Sequence, residues 1–257
     1  MVDIWKSDFY RFKKNWLFYL FALITTIIAL ALTTLHNKDI RLGISIFGNV
    51  TGFTEIVDII RIGNKYYSGL GVFIAIVISD FIGQEYEFET WQNKWIVKKS
   101  RVNIYLSKAI ISSMASAAIF LLFQTIVLLF SGMIFKMLTI SYFDMILSGV
   151  FIYATLGAVF CMFSMILKNG MVFCIFYALL AESMVSLIIV VSKFSSVTEK
   201  VALWLVQHSV YGMSATLASL GVADITFGTT VSIIINSIVI IFISALAGSF
   251  LFKKYDL

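Results

Sequence analysis

Six long apolar runs constrain this chain more than any other feature. They cover residues 16–35, 67–83, 104–132, 143–167, 171–192 and 229–252. Each is near the roughly 20 residues that a helix needs to cross a bilayer. They are too long for barrel strands and lack the period-two alternation that strands require. Hydrophobic residues make up 60% of the chain and charged residues 13%, with a mean hydropathy of +0.98. A soluble domain of 257 residues needs far more charge to cover its surface. The expected fold is an all-α membrane protein: one transmembrane domain, residues 1–257, with six transmembrane helices.

The basic residues suggest an orientation. With both termini cytoplasmic, 12 Lys/Arg fall inside and 7 outside, which satisfies the positive-inside bias. The net charge of +5 is therefore read through topology rather than as a nucleic-acid signal. The N-terminus has no small-residue cleavage site before its first apolar run, so a removable signal peptide is not expected. Cys161 and Cys174 lie inside apolar runs and read as small buried hydrophobes.

Three segments outside the runs, 1–15, 193–228 and 84–103, carry most of the information, and a fourth, 36–66, adds less. In residues 1–15, Trp5, Phe9 and Phe12 fall on one helical stripe with Lys6, Lys13 and Lys14 off it. That pattern predicts an amphipathic helix in the inner headgroup plane, serving as an anchor or as a docking surface for a cytoplasmic partner. Residues 193–228, between runs five and six, hold an apolar stretch too short to cross and predict an interfacial or re-entrant helix. His208 there reads as a headgroup-level polar residue, because no Cys/His cluster exists to make it a metal ligand. Residues 36–66 read as an outer polar-apolar loop, with Asn49-Val50-Thr51 matching a glycosylation acceptor.

The third segment, 84–103, follows run two and is rich in acids, bases and tryptophan. Its charges belong in water or at the headgroups. As a helix it sets Phe88, Trp91 and Trp95 on one face and Glu85 and Glu89 on another. It then reads as a solvated interfacial segment or as a surface offered to a cytoplasmic protein.

Glu182, Gln124 and Asn236 stand out among the polar residues inside the runs. Glu182 is near the middle of the fifth, where a charge costs roughly 2.5–3.5 kcal/mol on insertion scales. It is a candidate for an interhelical hydrogen bond or for proton or ion coupling. Gln124 and Asn236 suit bonds between neighbouring helices. No GxxxxGK[ST] loop, HExxH, GxSxG or Cys/His ligand set is present, so no catalytic residue and no metal site is expected.

The spacing Glu85-Tyr86-Glu87-x-x-Thr90, then Ser100-Arg101, then Lys108 resembles the motif of the type 2 ABC exporter permeases. In that family E-Y-E-x-G-T follows the second span, and S-R and a Lys open the third. Glu89 stands where the family has Gly, and the Pro before Ser-Arg is absent. The six-span layout extends the resemblance over essentially the whole chain, and the size is similar to permeases of Gram-positive peptide exporters and lantibiotic-immunity systems.

The resemblance implies a cytoplasmic coupling helix seated in a separate ATPase subunit, with Glu85, Tyr86, Glu87, Thr90 and Trp91 as contact candidates. Arg101 and Lys108 would hold the return into span three. Trp5, Phe9 and Phe12 would belong to a connecting helix. It also implies a plasma-membrane transport subunit, not an enzyme, with ATP and Mg held by the partner ATPase. A second permease copy, identical or a sister subunit, would complete it, and the cargo would be an amphipathic peptide or lipid-like molecule. The alternatives are an ion- or proton-coupled secondary transporter using Glu182 and a non-transporting peptide sensor or immunity protein.

Overall fold

The computed structural model describes residues 2–38, 43–46, 49–52, 56–88, 100–132, 139–168, 170–193, 196–220 and 224–254. Ten helices carry the described fold: α1 Val2–Lys13, α2 Trp16–Asn37, α3 Ile56–Asn64, α4 Leu70–Glu87, α5 Arg101–Phe130, α6 Ile140–Ile166, α7 Met171–Ser192, α8 Ser196–Gln207, α9 Val210–Ser219 and α10 Phe227–Lys254. A 3-10 turn, Tyr66–Ser68, leads into α4. A small antiparallel hairpin, β1 Gly43–Ile46 and β2 Asn49–Gly52, pairs Gly43 with Gly52 and Ile46 with Asn49.

Among the described residues, five helices are long and apolar enough to cross a membrane: α2, α5, α6, α7 and α10. The expectation of six spans is therefore met for five. The remaining one, α4, has 18 residues and carries Asp80, Glu85 and Glu87 in its C-terminal half. Its apolar residues Ile74, Ala75, Val77, Ile78, Phe81 and Ile82 are buried against α5, α6 and α7. Protein neighbours surround much of it, a setting that tolerates a short, acid-bearing helix beside apolar ones.

The centre of the bundle is α6, packed between α5 and α10. Small residues let these helices approach, as in other membrane bundles. A Cβ on Gly157 would lie 2.4 Å from the Ser112 carbonyl oxygen, and one on Gly149 would strike the Phe120 ring. On the other side of α5, Gly248 of α10 makes room for the Tyr105 ring, whose hydroxyl donates to the Ser244 carbonyl at 3.0 Å.

Part of the segment expected as an outer loop, Ile56–Asn64, instead packs into the bundle as α3. Ile59 and Ile60 are fully buried, and carbonyls toward the C-terminal end of α3 take bonds from outside the helix. Other helices supply the donors. Gln124 of α5 donates to Ile60 O at 3.1 Å, Tyr153 of α6 to Gly63 O at 2.6 Å, and Ser214 of α9 to Asn64 O at 2.6 Å.

The single interfacial element expected over 193–228 is two helices. Much of α8 is exposed, with Trp204 stacked on His208 at 4.5 Å. The other, α9, buries Val210, Met213 and Leu217 against α3 and α6. Cys161 and Cys174 are buried free thiols.

Candidate functional site, a buried ionic cluster

Where α1, the end of α4 and the start of α5 meet, four charged side chains converge. The amphipathic pattern of α1 turns Ile4, Asp8 and Phe12 inward, while Lys6, Lys13 and Lys14 stay exposed. A carboxylate on the inward face of such a helix demands a cation, because an unpaired buried charge is prohibitive.

That cation is Lys108. Its ammonium lies 3.4 Å from Asp8 Oδ1 and 2.7 Å from Glu85 Oε1, and all three side chains are fully buried. Arg11, one turn beyond Asp8 on α1, pairs with the same Glu85 oxygen from the half-open side. Ser107 donates to Asp8 Oδ2 at 2.9 Å. Two carboxylates thus face two cations, and these four groups balance in formal charge.

The floor of the cluster is aromatic. Phe81, one turn before Glu85 on α4, sets its ring 3.8 Å below the Lys108 ammonium. A cation over a ring face in a desolvated site gains from the ring quadrupole. The Phe12 ring meets the Phe81 ring edge-on at 5.1 Å. Asn15 completes the corner. Its side-chain oxygen caps α2 by accepting from Leu17 N at 2.9 Å, and its amide donates to Asp80 Oδ2 at 3.1 Å.

The motif residues therefore divide. Glu85 turns inward to α1 and α5, so its fully buried carboxylate is engaged inside the chain rather than offered at the surface as a contact for a partner. Tyr86 turns to α6 and donates to the Met165 carbonyl at 2.7 Å. Glu87 and Phe88 are exposed, with Phe88 at 67%. Thr90 and Trp91 lie outside the described residues. Arg101 is the first residue of α5, behind the Ser100 cap, and is half-buried. Lys108, expected to steady the start of span three, is the hub of the cluster.

Trp5 and Phe9 stack at 5.8 Å on the exposed side of α1, whereas Phe12 is buried. Sequence reasoning missed Asp8 and Arg11. The signal was there, since Asp8 shares the inward stripe with Phe12.

Beside the cluster, Ser79, Asp80, Gln84, Tyr86, Glu87 and Lys168 line an open polar cavity of about 580 Å³. Gln84 donates to Asp80 Oδ2 at 2.8 Å along its α4 wall. Lys168 holds a positive φ of 57° as the chain leaves α6, the αL conformation common after helix ends though usually taken by glycine.

The intramembrane polar residues occupy three settings. Gln124 is buried, bonding Asn64 Oδ1 at 3.1 Å as well as Ile60 O. Asn236 is half-buried on α10. Glu182 is exposed on α7, yet its charge reaches Tyr211 of α9, whose phenol is raised by burial first and by Glu182 second. No protein family, curated protein or solved structure matches this chain.

Proposed function

We propose that this chain is the membrane-spanning permease subunit of an ATP-driven exporter, worked by a separate cytoplasmic ATPase. One observation carries the reading. Glu85 and Lys108, two residues whose spacing makes the chain resemble the type 2 exporter permeases, meet in a buried pair that also grips α1. The pair ties the end of α4 to the start of α5, so the segment between them leaves and returns at one rigid corner. A force applied to that segment would move α1, α4 and α5 together.

Counting α4 as a crossing makes six spans, with both termini on the cytoplasmic side of the cell membrane. Glu87, Phe88 and the polar cavity beside them are then the cytoplasmic face on which the ATPase docks. A second permease copy, identical or a sister, would complete the transport path, and the cargo is an amphipathic or hydrophobic peptide or lipid-like molecule. Coupling requires only that the ATPase bind two permease states with different affinity.

The test uses exposed residues, because reversing Glu85 would also break the cluster. The permease is co-expressed with the ABC ATPase encoded beside it and purified through a tag. Glu87→Lys with Phe88→Asp should remove the ATPase from the complex while the permease stays monodisperse. Stoichiometric ATPase retained by that variant refutes the docking face. The absence of any ABC ATPase beside the gene, or of complex formation by the wild type, refutes the exporter reading itself.

A further inference from the structure

An apolar groove of about 220 Å³ opens where α1 meets the start of α2 and the middle of α5. Its walls are Phe9 and Phe12 of α1, Phe18 of α2, and Met114 and Ala118 of α5, with Lys13 at the rim. Phe9, Met114 and Ala118 are exposed, so the groove faces outward from the bundle. Along α5 its wall, from Ile111 to Ala118, extends about 10 Å at the helical rise. One end is therefore at the depth of the headgroup helix and the other well inside the apolar span.

The charge at the open end has one sign. From residue 4 to 15 the exposed charged side chains are Lys6, Lys13 and Lys14, and the one acid, Asp8, is buried in the ionic cluster. Two contacts order the rim: Tyr19 Oη donates to the Lys13 carbonyl at 2.9 Å, and the Lys14 ammonium sits 4.6 Å from the Tyr10 ring centre. A narrow apolar slot running inward from a lysine matches a molecule with a hydrocarbon chain below and an anion above.

We propose that this groove is a specific site for an anionic phospholipid, with one acyl chain between α1, α2 and α5 and the phosphate on Lys13. Phe9 and Phe12 flank Asp8 and Arg11 on α1, so the bound chain packs on the helix that the ionic cluster holds. The lipid thereby steadies α1 in its docked position. This inference rests on the multi-pass membrane reading alone and stands or falls independently of ATPase coupling.

Native mass spectrometry of the purified chain, titrated with phosphatidylglycerol and phosphatidylcholine of the same acyl composition, tests it. Phosphatidylglycerol should bind one site about five-fold more tightly, the gain expected from one basic side chain near a lipid surface. Lys13→Gln should reduce that preference to parity while leaving phosphatidylcholine binding unchanged. Ala118→Trp, at an exposed wall position, should weaken both lipids. The double variant Lys6→Gln/Lys14→Gln should keep most of the preference. Equal binding of the two lipids to the wild type overturns the proposal. So does full preference in Lys13→Gln, or a loss in the double variant as large as that in Lys13→Gln, which would make the attraction a diffuse surface field.

Discussion

Lys108 on α5 places its ammonium 2.7 Å from Glu85 on α4, with both side chains fully buried. Asp8 and Arg11 of α1 complete the cluster, so a helix outside the bundle is joined to it by charge as well as by Phe12. Removing one partner of a buried pair leaves the other charge uncompensated, which typically costs about 3–5 kcal/mol. Lys108→Met is therefore expected to lower the melting temperature of the detergent-purified protein sharply. Lys108→Met with Glu85→Gln should cost less than the sum of the two single changes. Additive losses would mean that the pair is not coupled.

Asp8 tests whether α1 is held by the cluster or merely lies on the membrane. Asp8→Asn keeps the side chain's shape and its bond with Ser107 but removes the charge facing Lys108. Amide hydrogen exchange in α1 should speed up by at least an order of magnitude, with little change in α6. Unchanged protection of α1 would show that Phe12 and the aromatic floor suffice.

Gln124 satisfies a carbonyl at the buried end of α3 and also bonds Asn64. Gln124→Leu keeps apolar bulk but removes the bonds to the Ile60 oxygen and to Asn64, a loss of about 1–3 kcal/mol for the two together. Tyr153→Phe should cost a similar amount through the Gly63 carbonyl. Thermal melts of both variants check this, and neither change should alter the docking of α1.

Gly157 lies so close to the Ser112 carbonyl oxygen that any Cβ collides with backbone. Gly157→Val is expected to destabilise by at least the roughly 1–3 kcal/mol of ordinary overpacking, because a backbone atom cannot rotate away. Since 1 kcal/mol shifts the melting temperature of a chain near this size by roughly 2–4 °C, a change under about 1 °C would contradict the close α5–α6 approach.

Glu182 is exposed on α7, where lipid or a second permease copy would meet it. Glu182→Gln should leave the melting temperature of the isolated chain unchanged or raise it. In the exporter reading, ATP-driven cargo movement persists in this variant. Loss of a pH-dependent flux with ATPase binding intact would instead favour ion coupling.

What the sequence determined by itself was local. Apolar runs of spanning length specify helices because a bilayer leaves the backbone no other partner. Only the tertiary structure decided which polar groups meet. Asp8, Glu85 and Lys108 lie on three helices far apart in the chain, and their pairing depends on how α1, α4 and α5 cross. The return of α3 into the bundle was equally hidden, since its buried carbonyls are satisfied by Gln124, Tyr153 and Ser214 from three other helices. Periodicity along a chain records which face is buried. It carries no information on the partner that the face will find, because that choice is made by packing between elements.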